Sequence, residues 1–107
     1  MNYPTAKPIK VLLADDHDLV RFGLRSILEF ESDIVVVGEA ADGAQALQLI
    51  AELKPDVVLA DVSMPPPDAI GLAARLRQNG SGARVIVLTM HEDSVLAREA
   101  LQAGAAG

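Results

Sequence analysis

Four short apolar segments recur along this chain of 107 residues, and stretches with helical spacing separate them. In order, the segments are 9–15, 34–40, 56–61 and 84–88. They are too short for buried helices, and they are continuously apolar rather than alternating, which is typical of parallel strands covered on both faces. Because parallel strands need crossover connections, the pattern predicts an α/β fold with helices on both sides of one sheet.

The stretches between these segments carry the signals of helices. Asp18 is positioned to cap the first, and Asp42 with Gln45 resembles a capping box that opens the second. A third helix is expected after the turn sequence MPPPDAIG, and a fourth after the acidic pair Glu92 and Asp93. The apolar face expected for the first helix consists of Val20, Leu24, Ile27 and Leu28, and that of the second consists of Leu47, Ile50 and Leu53. The third helix is expected over Leu72–Arg77.

Composition narrows the classes of function. Half of the residues are hydrophobic, which is typical of a folded domain, and we expect one domain over 9–107 after a flexible leader at 1–8. The net charge of −6 and the scattered basic residues argue against nucleic-acid binding by this segment. Without cysteine, neither a disulfide nor a thiolate metal site can form. The sequence has no transmembrane-length apolar run and no signal-peptide pattern, so we expect a cytoplasmic protein.

Acidic residues follow two of the apolar segments. Asp15 and Asp16 come at the end of the first, and Asp61 ends the third. Ligands of open parallel sheets bind beyond the carboxyl ends of the strands, so the three carboxylates converge if those two strands are neighbours. Mutual repulsion then favours a cation, and ligands that are all oxygen suit Mg²⁺. A carboxylate can also act as a nucleophile toward phosphorus, and Thr89 is placed to donate a hydrogen bond to a phosphoryl oxygen. The alternative is a set of solvated acids at strand ends.

Four stretches of the chain resemble the response regulator receiver domain of two-component signalling. They occur in the order and at the spacing of that family, and they are spread over nearly the whole chain. The matching stretches are VLLADDH (Val11–His17), PDVVLADVSMP (Pro55–Pro65), VIVLTMHED (Val85–Asp93) and ALQAGAAG (Ala100–Gly107).

This resemblance implies a flavodoxin-like (CheY-like) doubly wound parallel sheet with strand order 2-1-3-4-(5). It implies that Asp61 accepts a phosphoryl group from a partner sensor histidine kinase. Asp16, Asp61 and the backbone carbonyl of Ser63 would coordinate Mg²⁺, with Asp15 assisting through water, and Thr89 would be the switch hydroxyl. Such a domain assists its own phosphorylation and hydrolysis without being an enzyme in the turnover sense.

The stretch DDHDLVRFGLRSIL also resembles the branch whose receiver domains precede a LuxR-type helix-turn-helix domain. The implied function is regulation of transcription, with DNA bound only through an output domain that this sequence does not contain. No membrane partner is implied. Homodimerisation on phosphorylation is left open.

The chain departs from the family pattern in three places, one of which is Asp18, where this branch often has proline after the histidine. The family continues through a fifth strand that bears a phosphate-binding lysine and then a fifth helix, and we expect both to be absent from this chain. Lys7, Lys10 and Lys54 lie elsewhere in the pattern. Ala69 stands where the family usually has glycine after the aspartate of the turn, which affects the details of the loop rather than Asp61.

Two other classes of function stay open at this point. One is a pseudo-receiver that binds other proteins without phosphorylation. The other is a small enzyme or nucleotide carrier on the same fold, although the loop sequence ADDHD would repel a phosphate unless a metal intervened. His17 and His91 are interpreted as loop residues beside the acids.

Overall fold

The order of helices and strands matches the alternation that the sequence predicts. A computed structural model of the chain describes residues 7–88. Thr89 and the helix predicted after Glu92 and Asp93 lie outside the described residues. The elements are β1 Ile9–Ala14, α1 Asp18–Leu28, β2 Ile34–Ala40, α2 Gly43–Leu53, β3 Val57–Asp61, α3 Ala69–Gln78 and β4 Arg84–Leu88.

All the strand pairings are parallel, and the strands lie in the order β2-β1-β3-β4. The predicted flavodoxin-like order is therefore confirmed for these strands. In the register of β1 and β3, Ala14 pairs with Ala60. The residues that follow this pair, Asp15 and Asp61, consequently emerge side by side at the carboxyl edge of the sheet.

Both faces of the sheet are buried, as the continuously apolar strands predict. Leu12 and Val58 are fully buried on the face that α2 and α3 cover. Leu13, also fully buried, lies on the opposite face, where Leu24 and Leu28 of α1 pack. Each fully buried leucine side chain contributes about 1.5–3 kcal/mol to stability, so these strand residues supply much of the driving force for folding.

The capping box predicted for α2 is present. The Asp42 side chain accepts a hydrogen bond from the Gln45 amide at 2.8 Å, and the Gln45 side chain accepts one from the Ala41 amide at 2.9 Å. The first bond satisfies a backbone donor that the first helical turn leaves unpaired, and the second holds the residue before the N-cap. The helix ends at Leu53, just before Pro55 as predicted.

The predicted beginnings of α1 and α3 are wrong. Helix α3 begins at Ala69 rather than Leu72, because the Asp68 side chain accepts a hydrogen bond from the Gly71 amide at 3.0 Å and caps the helix there. Asp18 does not cap α1, since it is the first helical residue and its carboxylate pairs with Arg21.

The apolar face predicted for α1 is only half correct. Leu24 and Leu28 pack on the sheet, whereas Ile27 is 67% exposed. The helix is turned so that Arg21 and Arg25, one turn apart, face Glu39 on β2. Packing of Leu24 and Leu28 and ion pairs to the neighbouring strand are thus satisfied by the same orientation of this helix. None of the described helices is long and apolar enough to cross a membrane.

Candidate functional site

The three predicted acids lie together at the carboxyl edge of the sheet. Asp15 and Asp16 follow β1, and Asp61 is the last residue of β3. Asp15 is 3% exposed and Asp61 7% exposed, while the Asp16 side chain is 36% exposed. One oxygen from each acid and one ring nitrogen of His17 all lie within 4.8 Å of one another. The arrangement concentrates negative charge where little water screens it, which favours a bound cation.

Ser63 holds both carboxylate oxygens of Asp61. Its backbone amide donates to Oδ1 at 3.0 Å, and its hydroxyl donates to Oδ2 at 2.7 Å. The sequence reasoning assigned Ser63 a role only through its backbone carbonyl and missed these bonds. A serine two residues after an aspartate at a strand end is a known local turn pattern, so the signal was present. The bonds fix the direction in which the Asp61 carboxylate points.

The His17 imidazole lies among the three acids. Its Nδ1 atom is 3.0 Å from Oδ1 of Asp15 and 3.0 Å from Oδ1 of Asp16. The same nitrogen lies 3.7 Å from Oδ2 of Asp61. The hydrogen bond to Asp15, followed by the charge of Asp16, raises the pKa of His17 above its ordinary value of 6.5. Protonated His17 therefore contributes to stability below pH 6.5, and this contribution is lost as the pH rises through the folded-state pKa.

Arg21 ties the loop between β1 and α1 to the rest of the fold, and the sequence reasoning missed it. Its guanidinium donates to the backbone carbonyl of Asp15 and to the side chain of Asp18. A third bond runs to Glu39 on β2 at 3.3 Å. Because the Arg21 side chain is only 15% exposed, these bonds form largely away from water. Arg21 thus fixes the backbone on which the acidic pair is carried.

We expect Arg21→Gln to lower the free energy of unfolding by about 1.5–3 kcal/mol, because the Asp15 carbonyl and Glu39 lose a charged donor. Urea unfolding at constant m-value measures this change. Arg25→Gln is the matched control. Arg25 is 40% exposed and pairs with Glu29 and Glu39, so its loss should cost less than about 1 kcal/mol. Equal losses in the two variants would contradict the role given to Arg21.

Comparison with known proteins decides the family. The sequence model of the response regulator receiver domain matches residues 11–107. The chain belongs to the response regulator receiver domain family. The receiver domain expected from the sequence, with its strand order, is thereby confirmed.

Transcription regulators are among the relatives of this receiver domain. It is 47% identical over 97 residues to the uncharacterized transcriptional regulatory protein YhcZ of Bacillus subtilis, covering 91% of this chain and 45% of YhcZ. The chain therefore spans about half the length of the curated relatives it matches. A LuxR-family two-component response regulator from Aurantimonas sp. SI85-9A1 is 39% identical with a TM-score of 0.88, over 94% of this chain and 72% of that one.

One solved relative comes from a complex that contains BeF₃ and Mg²⁺. In the CheX-CheY-BeF₃-Mg²⁺ complex from Borrelia burgdorferi, the matched chain is 29% identical with a TM-score of 0.86. The match covers 99% of this chain and 80% of that chain. The predicted switch residue Thr89 lies outside the described residues. His91, which was interpreted as a loop residue, lies outside them too.

Proposed function

We propose that this receiver domain accepts a phosphoryl group on Asp61 from a partner sensor histidine kinase, with Mg²⁺ as the cofactor. The observation that carries the proposal is the convergence of Asp15, Asp16 and Asp61 at one edge of the sheet, with two of the three carboxylates nearly buried. Similarity to the receiver domain family supports the choice of Asp61 as the acceptor.

The donor set fits Mg²⁺. The acids offer carboxylate oxygens close enough together to share one ion, and Mg²⁺ prefers such hard ligands while retaining several waters. We assign Asp16, Asp61 and the backbone carbonyl of Ser63 as its ligands, with Asp15 assisting through water. When bound, Mg²⁺ would neutralise charge on the phosphoryl oxygens.

The Asp61 carboxylate supplies the nucleophile. One of its oxygens forms a bond to phosphorus while the bond from phosphorus to the donor breaks, and that electron pair leaves with the donor, an imidazole nitrogen of the kinase. The product is an acyl phosphate. Ser63 orients the carboxylate through its amide and hydroxyl, so the domain contributes positioning rather than covalent machinery. Thr89, which follows the last residue of β4, would donate its hydroxyl to a phosphoryl oxygen.

Phosphorylation would act as a switch. A new charge at the edge of the sheet biases a two-state equilibrium of the domain, and the surface around the predicted fourth helix would change with it. The LuxR-family relative supports an output through transcription. DNA binding would then belong to a further domain of a longer protein, and the acidic receiver domain would not itself contact DNA.

Acetyl phosphate tests the proposal. With Mg²⁺, the intact mass of the protein should rise by that of one phosphoryl group, and hydroxylamine should remove the adduct because acyl phosphates are labile to it. Chelation with EDTA should prevent its formation. An adduct that forms equally in EDTA, or that resists hydroxylamine, would contradict the proposal. No adduct under any condition would favour the pseudo-receiver alternative.

A further inference from the structure

His17 follows the acidic pair directly, and its side chain turns back onto the acidic site. Its side chain is 61% exposed, yet its Nδ1 atom contacts carboxylates from Asp15 and Asp16 and approaches that of Asp61. The backbone supports this position, because the His17 amide donates to Oδ1 of Asp15 at 2.8 Å. The nitrogen that pairs with these anions could instead coordinate a cation that they attract, once the imidazole has given up the Nδ1 proton.

The distances fit an octahedral ion. Neighbouring ligands of an octahedral dication with bonds of about 2.1 Å lie about 3.0 Å apart. Nδ1 of His17 lies at this separation, 3.0 Å, from Oδ1 of Asp16, which is one of the ligands assigned above. One ion could therefore contact the nitrogen and a neighbouring carboxylate with little movement of the chain. The neutral imidazole then carries its remaining proton on Nε2.

We propose that His17 is a nitrogen ligand of this metal site when a transition dication of the Mn²⁺ and Co²⁺ class occupies it, and that it strengthens the binding of such ions relative to Mg²⁺. The proposal rests on the metal site of the proposed function and specifies its preference. Imidazole is a good ligand for transition metals, whereas Mg²⁺ takes oxygen ligands and gains little from a ring nitrogen. The histidine thus adds to whatever preference for transition dications the three carboxylates already give.

Electron spin-echo spectroscopy of bound Mn²⁺ detects directly whether a nitrogen atom coordinates the ion. The spectrum of the wild-type protein should show modulation from a coordinated ¹⁴N nucleus, and labelling the histidines with ¹⁵N should shift it. His17→Phe keeps a planar ring without the nitrogen, so the modulation should disappear. This variant should bind Mn²⁺ and Co²⁺ about tenfold more weakly, with Mg²⁺ binding changed less than about twofold. His91→Asn removes the other histidine of the chain and should leave the modulation in place.

The outcomes separate this proposal from the proposed function. Mn²⁺ bound without nitrogen modulation, or modulation that persists in His17→Phe, would overturn the role of His17 and leave the carboxylate site intact. If neither Mn²⁺ nor Mg²⁺ binds the wild-type protein more tightly than it binds Asp16→Asn, the metal site of the proposed function fails as well. Modulation that is lost in His17→Phe alone, together with the selective loss of affinity, supports the proposal.

Discussion

Asp61→Asn is expected to abolish the phosphoryl adduct that acetyl phosphate and Mg²⁺ form on the wild-type protein. An amide oxygen is a poor nucleophile toward phosphorus and cannot form the acyl phosphate. The variant should still fold, because the asparagine oxygen can accept the hydrogen bond that the Ser63 amide gives to Oδ1 of Asp61. Intact mass and the urea unfolding midpoint together measure the two effects.

Asp56→Asn is the matched control for this prediction. Asp56 directly precedes β3, at the opposite end of the strand from Asp61, and its carboxylate accepts a hydrogen bond from the Lys10 amide at 2.8 Å. Asp56→Asn replaces a carboxylate by an amide, as Asp61→Asn does, but far from the acidic site. The phosphoryl adduct should therefore form as in the wild type. An adduct of wild-type yield on Asp61→Asn would show that another group is the acceptor, and the proposed function would need a different nucleophile.

Gly43→Ala is expected to lower the free energy of unfolding by about 1–3 kcal/mol or more, since overpacking forces neighbours to move. Gly43 is the first residue of α2, and a Cβ atom there would overlap the carbonyl oxygen of Pro67. The same Cβ would lie 2.7 Å from Cγ of Pro67. The clash is partly with backbone, so it cannot be relieved by rotating a side chain. Urea unfolding measures the loss.

Gly23→Ala supplies the control for the glycine prediction. Gly23 lies within α1, and a Cβ atom there would meet nothing within 4 Å. Alanine at this position should raise stability by about 0.5–1 kcal/mol through its higher helix propensity. Opposite signs for the two substitutions are therefore expected. A Gly43→Ala protein as stable as the wild type would mean that the loop carrying Pro67 yields at little cost.

Local patterns in the sequence were sufficient to predict most of the fold. The continuously apolar strands, the capping residues Asp42 and Gln45, and the strand order that the resemblance to the receiver domain family implies all agree with the structure. These features depend on residues near one another in sequence or on general rules of parallel sheets. The meeting of Asp15 and Asp61 needs in addition that β1 and β3 are neighbours, which the strand order of the family supplied and the structure confirms.

The sequence by itself therefore determined the class of fold, the strands and the edge at which the acids meet. Tertiary structure alone decided which face α1 buries, where Arg21 binds, why Gly43 is a glycine and how His17 enters the site. Arg21 and Glu39 are 18 residues apart, and Gly43 contacts a loop that follows a later strand. Such contacts depend on the final packing of elements distant in sequence, which periodicity and capping signals do not encode.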